Sequence, residues 1–127
     1  MKKSRTLMES FAYAISGIIY SFRTQRNLKI HFFAAFLAMA MSWYFGLTSL
    51  ELAAVVLAAS LVIIAEMINT AIETTVDMIT GKYHPLAKIA KNVAAGAVLV
   101  AAMSAVVIGC LIFFDRIKPL IRVLFGR

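Results

Sequence analysis

The chain has 127 residues, of which 62% are hydrophobic, and its mean hydropathy is +0.89. Soluble domains are usually about half apolar, so this composition excludes an ordinary soluble domain and indicates one small membrane protein domain. The net charge of +7 comes from basic residues at the ends of apolar runs, which favours anionic lipid over nucleic acid as the partner.

Three motif classes are missing from the sequence. The single cysteine, Cys110, lies in an apolar run, so neither an intrachain disulfide nor a Cys/His zinc motif is available. No GxxxxGK[ST] or GxGxxG motif occurs, which excludes the nucleotide-binding loops of soluble proteins. The basic start MKKSRTL is not followed by the apolar run of a cleavable signal, so we expect the first span to act as an uncleaved insertion signal.

Residues 4–23 are predicted to form an amphipathic helix that lies along the membrane surface. Thr6 and Glu9 have the spacing of a capping box at its start. Apolar side chains recur on one face at helical spacing, namely Leu7, Phe11, Ile15, Ile18 and Phe22. Basic side chains flank both ends, namely Lys2, Lys3, Arg5, Arg23, Arg26 and Lys29.

Three membrane helices are predicted to follow, over residues 30–47, 50–80 and 86–114. The second is about 30 residues long, or roughly 45 Å, whereas the hydrocarbon core needs only about 20 residues. We therefore expect its polar end, from Asn69 onward, to project out of the hydrocarbon. The third contains small residues around Gly96, which let neighbouring helices approach closely in lipid.

Local signals define the ends of these helices. Thr48 and Glu51 have the spacing of a second capping box, at the start of the second membrane helix. Gly81 is expected to end that helix as a C-terminal cap, and Pro85 to begin the next one. The basic tail over 115–127 is expected to be interfacial or frayed.

The positions of lysine and arginine predict a cytoplasmic N-terminus and an external C-terminus. Residues 1–29 hold six of them, the turn 48–51 none, the connection from Gly81 to Lys91 three, and the tail four. This orientation places nine basic residues inside and four outside, in the sense of the positive-inside rule. The four in the tail fit the orientation badly.

A ladder of polar side chains occupies the end of the second membrane helix. At about 100° per residue they fall within a stripe about 100° wide, and they are Glu66, Asn69, Thr70, Glu73 and Asp77. Glu66 falls about 9 Å inside the inner boundary of a core about 30 Å thick, and the later acids reach that boundary. Ionisable residues at such depths are functional candidates. A purely structural alternative is pairing of the ladder with Lys88, Lys91 or Arg26.

The segment HPLAKIAKN supplies cations that antiparallel packing would bring beside the ladder. Lys88 and Lys91 share about the same helix face, and His84 lies close by. Lys88 can equally be a lysine that extends to the membrane edge, and His84 an ordinary turn residue. Carboxylates that hold Mg²⁺ beside a lysine that contacts phosphate oxygens are the parts that phosphoryl transfer requires.

The run ExxNTAIExxVD, from Glu66 to Asp77, followed by YHPLAKIAKNVAAGAVL, resembles the prokaryotic diacylglycerol kinase family. The resemblance covers residues 10–114, and the HPLAK variant is similar to the Gram-positive branch, whose members phosphorylate undecaprenol. It implies an all-α membrane protein, with an N-terminal amphipathic surface helix and three transmembrane helices in each subunit of a homotrimeric helical bundle. It also implies ATP as phosphoryl donor, Mg²⁺ as cofactor, a membrane lipid alcohol as acceptor, and cytoplasmic active sites shared between subunits in the cell membrane.

The resemblance assigns a role to each matching residue. Glu66 matches the catalytic base that accepts the proton of the lipid hydroxyl. Glu73 matches a metal-binding glutamate, and Asn69 a polar residue that orients the site. Asp77 matches an acid near the nucleotide, and Lys91 the lysine that stabilises phosphate charge.

Two positions depart from the family pattern. In TQRN, Gln25 occupies the place of a second metal-binding glutamate, and its amide oxygen can bind Mg²⁺ only without charge. In AKN, Asn92 replaces an aspartate. Each change removes negative charge from a cation site, which predicts weaker metal binding, a shifted metal requirement or a paralogue of low activity.

Three functions therefore remain open. The first is a lipid kinase, with undecaprenol as the preferred acceptor and diacylglycerol as the alternative. The second is a small oligomeric transporter that uses Glu66 as a proton or cation site. The third is a catalytically silent membrane or scaffold protein. The position of the ladder near the cytoplasmic edge favours the kinase. Three spans can hardly enclose a site alone, so a homo-oligomer is expected.

Overall fold

The computed structural model describes residues 4–126, and within them all regular secondary structure is helical. The helices are α1 (Leu7–Thr24), α2 (Arg26–Phe45), α3 (Ser49–Ile79) and α4 (Pro85–Phe125). By length and composition, α2, α3 and α4 can each cross a membrane. The predicted all-α membrane fold with three transmembrane helices is confirmed. Of the predicted flanking charges, Lys2 and Lys3 lie outside the described residues, as does Arg127 in the tail.

Both predicted capping boxes are present and begin α1 and α3. The backbone N–H of Glu9 donates to Thr6 Oγ1 (3.2 Å), and Glu9 Oε2 accepts from the Thr6 N–H (3.0 Å). The same reciprocal pair joins Thr48 and Glu51, at 3.2 Å in each direction. Gly46 ends α2 in the left-handed conformation (φ 62°), which favours a residue without a Cβ. These short-range contacts explain why α1 and α3 begin directly after the predicted capping residues. The predicted limits of α2, 30–47, differ from the observed Arg26–Phe45, because the helix already begins at the basic residues before the apolar run and ends at Gly46.

The predicted cap at Gly81 is wrong. α3 ends at Ile79, and its C-terminal cap is Thr80, which has an extended conformation (φ −137°, ψ 119°). In residues 4–126, Gly46 is the sole residue with positive φ, so Gly81 does not form a left-handed cap. Instead, the Thr80 hydroxyl donates to the carbonyl of Lys82 (2.9 Å) and closes the turn.

The predicted end of the third membrane helix at residue 114 is wrong, because α4 remains helical to Phe125. Of the two expectations for the tail, fraying is therefore also wrong, and an interfacial position stays a prediction. Pro119 lies inside this extension, where its missing N–H costs one backbone hydrogen bond. Arg116 stabilises the helix one turn earlier, since its guanidinium donates to a backbone carbonyl of α4 (2.8 Å) and to Glu51 of α3 (2.8 Å). These contacts hold the start of the extension against the neighbouring helix.

The packing of α3 against α4 is the most extensive contact of the fold, and α2 packs mainly on α3. The buried apolar side chains are few and mostly small or medium in size, and they are Leu28, Val55, Ala58, Val62, Ala94 and Phe113. Most large apolar side chains are exposed, as expected for helices that face lipid or further subunits. The five residues of the predicted apolar face of α1 are all exposed, and the placement of α1 on the membrane surface stays a prediction.

An ion pair joins α3 to α4 near each end of their antiparallel packing. Glu51 and Arg116 pair at one end, and Asp77 and Lys91 at the other. The 26 residues from Glu51 to Asp77 span about 39 Å of helix, somewhat more than a hydrocarbon core of about 30 Å. The two pairs therefore lie near the two ends of the segment of α3 and α4 that is long enough to cross a membrane.

Candidate active site

The polar ladder of α3 passes from the interior of the fold to its surface along one helix face. Glu66 and Asn69 are 3% and 7% exposed, Glu73 is half-buried, and Asp77 is exposed. Ile68, on another face of the same helix, is 55% exposed. α3 is unbroken through this segment, so the helical repeat alone aligns the ladder.

The hydroxyl groups of the threonines between the acids donate hydrogen bonds to backbone carbonyls of α3. Thr70 Oγ1 donates to the carbonyl of Glu66 (2.9 Å), and Thr74 Oγ1 donates to the carbonyl of Thr70 (2.8 Å). Hydroxyls that bond to the preceding helical turn donate no hydrogen bond to a carboxylate. The acid and amide side chains of the ladder therefore depend on other partners.

Glu66 is a buried carboxylate whose nearest polar neighbour lies on another helix. Its Oε2 atom is 3.6 Å from His31 Nε2 on α2, and the two side chains are 4% and 22% exposed. That distance exceeds a hydrogen bond, and Glu66 Oε2 has no hydrogen-bond partner among residues 4–126. A buried acceptor without a partner costs about 1–3 kcal/mol, so this oxygen is a place for a water, an ion, a ligand or a proton.

Asn69 and Glu73 form the next step of the ladder. Asn69 Nδ2 donates to Glu73 Oε1 (3.3 Å), which orients the amide. The amide oxygen, Asn69 Oδ1, is then buried and has no partner within the described part of the chain. One turn of α3 thus presents a half-buried carboxylate and an unused amide oxygen together.

This pair of oxygen donors fits Mg²⁺ that is held mainly by a nucleotide. Residues 4–126 contain no group of three or more His, Cys, Asp or Glu side chains that could hold a metal alone. Mg²⁺ is commonly bound through one or two carboxylates and substrate phosphates, and it keeps several waters. Glu73 and the free Asn69 Oδ1 match that partial set of ligands.

Gln25 lies at the junction of the first two helices. It is the C-terminal cap of α1 and the N-terminal cap of α2, and its side chain makes no capping hydrogen bond. It is half-buried. Its predicted cooperation with Glu73 in metal binding stays a prediction.

Asp77, Lys91 and Asn92 meet at a polar cavity between the end of α3 and the start of α4. Lys91 Nζ donates to Asp77 Oδ1 (2.5 Å), although both side chains are well exposed. The cavity has a volume of about 490 Å³, and Lys88 and His84 also line it. Nδ1 of His84 accepts the N–H of Leu86 (3.1 Å) and caps α4, so this histidine has a structural role in the turn.

The structural alternative for the ladder accounts for one of its three acids. Asp77 pairs with Lys91, but neither Glu66 nor Glu73 forms a salt bridge with lysine or arginine within residues 4–126. Fixing the register of α3 against α4 therefore explains Asp77 alone. Glu66 and Glu73 remain available for chemistry.

Sequence reasoning overlooked His31. A single histidine one residue inside an apolar run was the available signal, because ionisable groups at membrane depth are rare and usually functional. His31 also lines an apolar cavity of about 320 Å³ between α2, α3 and α4. Every other residue that lines this cavity is apolar, and alanines such as Ala35, Ala59 and Ala105 predominate.

These features define a small multi-pass membrane protein that carries unpaired acids and a lysine–aspartate pair near one end of its spans. Comparison with known families identifies the group. A family model described as prokaryotic diacylglycerol kinase matches residues 12–113, and the chain belongs to that family.

Curated relatives support the same assignment. The chain is 46% identical over 108 residues to a diacylglycerol kinase of Synechocystis sp., which covers 84% of this chain and 62% of that protein. It is 42% identical over 109 residues to the undecaprenol kinase of Bacillus subtilis, which covers 86% of this chain and 89% of that protein. It is 26% identical over 110 residues to the diacylglycerol kinase of Escherichia coli, which covers 87% and 90%. The family description and these names indicate a lipid kinase.

Proposed function

We propose that this protein transfers the γ-phosphate of ATP to a membrane lipid alcohol, with undecaprenol as the acceptor and undecaprenyl phosphate as the product. The observation that carries this proposal is the buried, unpaired carboxylate of Glu66 on the same helix face as Asn69, Glu73 and Asp77. The Bacillus subtilis relative named undecaprenol kinase is matched over 89% of its length. The Synechocystis relative keeps diacylglycerol as the alternative acceptor.

Glu66 is proposed as the general base. The oxygen of the lipid hydroxyl attacks the γ-phosphorus, the bond from that phosphorus to the bridging oxygen of ADP breaks, and the hydroxyl proton passes to the Glu66 carboxylate. Glu66 suits this role because its carboxylate forms no salt bridge with a lysine or arginine of the described chain. Base catalysis of this kind contributes about 10²–10⁴-fold.

Asn69 and Glu73 are proposed to hold the cation, and Gln25 to join them with an uncharged oxygen. Bound Mg²⁺ would supply charge neutralisation for the phosphate oxygens. The free Asn69 Oδ1 and the half-buried Glu73 carboxylate support this assignment. Because the side chains of Gln25 and Asn92 are amides, the cation would have less negative charge around it than two carboxylates would supply. A paralogue with weak kinase activity therefore remains the alternative.

Lys91 is proposed to leave its contact with Asp77 and to bind nucleotide phosphate instead. A single exposed contact joins these two side chains, and both line the polar cavity. An exposed ion pair of this type contributes about 0.2–1 kcal/mol, so phosphate can compete with the aspartate for the lysine. Asp77 and Asn92 would then lie beside the nucleotide.

Further elements of the proposal are a cytoplasmic site and a homotrimer in the cell membrane. The concentration of basic residues before α2 and between α3 and α4 supports the orientation. The exposed apolar faces of the three spans, together with the half-buried Glu73 and the exposed Asp77 at the end of the ladder, support a site completed by neighbouring subunits. The trimer itself comes from the family resemblance.

A proton or cation carrier is the second candidate. The buried Glu66 beside His31 favours it, because acid–histidine pairs at membrane depth occur in proton pathways. The ladder that leads from this pair to an exposed lysine and a polar cavity favours the kinase. Uptake of protons into vesicles without ATP or lipid alcohol would support the carrier.

A radiolabel transfer assay tests the kinase proposal directly. It measures transfer from ATP to undecaprenol, to diacylglycerol and to a lipid without a hydroxyl. We expect incorporation into undecaprenol, with a loss of at least about 100-fold for Glu66→Gln and a comparable loss for Glu73→Gln. Asp115→Asn is the matched control, because it makes the same carboxylate-to-amide change near the opposite end of α4, and it should retain activity within about twofold. Incorporation untouched by both glutamate changes would defeat the assigned roles.

Cysteine labelling tests the orientation. In a Cys110→Ala background, Thr80→Cys and Ser49→Cys place single thiols just beyond α3 at one end and at its first residue at the other. A membrane-impermeant maleimide added to intact cells should label Ser49→Cys, and Thr80→Cys should react once the membrane is opened. The reverse pattern would place the ladder on the external side and exclude ATP of the cytoplasm as its donor.

A further inference from the structure

The contact between His31 and Glu66 points to a role for a residue outside the ladder. We propose that His31 is a positioning residue, whose Nε2–H holds Glu66 Oε2 so that the other carboxylate oxygen faces the lipid hydroxyl. This inference rests on the proposed function, because it concerns the orientation of the proposed base. It adds a second helix, α2, to the machinery that prepares Glu66.

The geometry supports a hydrogen bond that forms when the site is loaded. The two atoms are 3.6 Å apart, slightly beyond a hydrogen bond, with the carboxylate buried and the ring half-buried. Catalytic hydrogen bonds are often long before substrate binds and tighten in the complex. A small rotation of either side chain would give Glu66 Oε2 the partner that it lacks.

The surroundings of His31 leave Glu66 as its natural partner. The other residues that line the cavity beside it are alanine, valine, isoleucine, glycine and phenylalanine. A polar group that faces such a lining gains little from it, and burial without a hydrogen bond is costly. A hydrogen bond to a carboxylate is stronger than one between neutral groups, so the pair stabilises both side chains and restricts the carboxylate to one orientation.

Orientation of the base matters because the general base must lie within hydrogen-bonding reach of the proton that it accepts. Without His31, Glu66 can rotate about its side-chain bonds and present either oxygen in either direction. Loss of His31 should therefore slow the chemical step and leave nucleotide binding unchanged. A histidine that merely packs α2 against α3 would affect the folded fraction instead.

The test compares His31→Leu, which removes the donor, with His31→Gln, which keeps a side-chain N–H at similar reach. In the purified full-length protein, we expect His31→Leu to lower kcat at least about tenfold with the KM for ATP within about twofold. His31→Gln should recover at least a third of the wild-type kcat. Ser42→Ala is the control, because Ser42 is also buried on α2 but bonds to a carbonyl of its own helix. It should match wild type in kcat and in melting temperature.

A double variant shows whether His31 acts through Glu66. In the Glu66→Gln background, His31→Leu should cause no further loss of kcat, because the group that it positions has been removed. Additive losses would contradict a positioning role, as would a His31→Gln variant as slow as His31→Leu at the same melting temperature. Retention of kcat within twofold in His31→Leu would overturn the inference.

A spectroscopic readout separates this inference from the proposed function. The infrared carboxylate band that disappears in Glu66→Gln should shift in His31→Leu and return toward its wild-type position in His31→Gln. If wild type transfers label to neither lipid, the kinase proposal fails and this band still decides whether His31 holds Glu66. An unchanged band in His31→Leu would refute the contact whatever the activity.

Discussion

The two ends of the α3–α4 pair use the same kind of ion pair in different ways. At one end, Arg116 contacts both oxygens of Glu51 at 2.8 Å and also donates to a carbonyl of its own helix. The backbone N–H of Thr48 bonds to the same carboxylate. At the other end, Lys91 makes one contact with Asp77, whose side chain is 64% exposed.

The difference extends along α3 from each pair. The Glu51 carboxylate has partners for both oxygens, whereas Glu66 Oε2 and Asn69 Oδ1 are buried without partners. A fully satisfied polar network makes a helix pair rigid. Buried acceptors that remain open lower stability unless a ligand supplies the missing contact. The end with the Glu51–Arg116 pair, called here the closed end, therefore anchors the helices. The end with the Asp77–Lys91 pair and the buried acceptors is called the open end, and a ligand that supplied the missing contacts would gain most by binding there.

The largest effect that separates the two ends is expected for Lys91→Met. Removal of the cation that we propose to stabilise phosphate charge should reduce kcat about 10²–10³-fold, the usual loss for one preorganised electrostatic group. Lys118→Met is the matched control, because Lys118 also faces a nearby carboxylate, Asp115, at 3.8 Å, and lies at the closed end. Steady-state rates in mixed micelles measure both. Equal losses would remove the functional distinction between the ends.

An intermediate effect is expected from restoring charge at the open end. Gln25→Glu and Asn92→Asp together should raise activity about 3- to 10-fold at limiting Mg²⁺, because carboxylates strengthen a cation site built from oxygen donors. The gain should disappear at saturating Mg²⁺. A Mg²⁺ titration of both proteins measures the shift. No gain at any concentration would show that the two amides do not limit metal binding.

The smallest effect on turnover is expected at the closed end. Arg116→Met should change the specific activity of the folded protein by less than about threefold, because Arg116 lies at the opposite end of the α3–α4 pair from the ladder. It should lower the melting temperature, since it leaves Glu51 without its partner. Glu51→Gln with Arg116→Met should recover part of the stability, because removal of both charges is less harmful than removal of one.

Thermal unfolding in one detergent, with activity measured per folded protein, checks this last prediction. The conservative control is Arg116→Lys, which keeps the charge but cannot contact both carboxylate oxygens in the same way. It should lie between wild type and Arg116→Met in melting temperature. A loss of turnover in Arg116→Met at full folding would mean that the closed end also takes part in catalysis.

Much of the fold could be predicted because its signals are local. Thr6 with Glu9 and Thr48 with Glu51 form the capping boxes that their spacing indicates. Pro85 begins α4 as predicted. The conformation at Gly81 could not be predicted in this way, because a glycine after a helix permits a left-handed cap without requiring it. The hydroxyl of Thr80 closes the turn instead.

The candidate site was predictable to the extent that it lies on one helix. Glu66, Asn69, Glu73 and Asp77 follow the helical repeat of α3, so their common face is a property of the sequence. His31 was missed because it belongs to a different helix, 35 residues before Glu66. Periodicity describes each helix by itself and says nothing of the rotation that turns one side chain toward another.

The sequence by itself determined the membrane class, the number of spans, the two capping boxes and the acidic ladder, because hydropathy, spacing and capping act over a few neighbouring residues. The tertiary structure decided which polar groups found partners: Arg116 reaches Glu51 across 65 residues, Lys91 reaches Asp77, and Glu66 is left beside His31 without a hydrogen bond. Those outcomes depend on the register and rotation of packed helices, which are set by side-chain packing between distant segments.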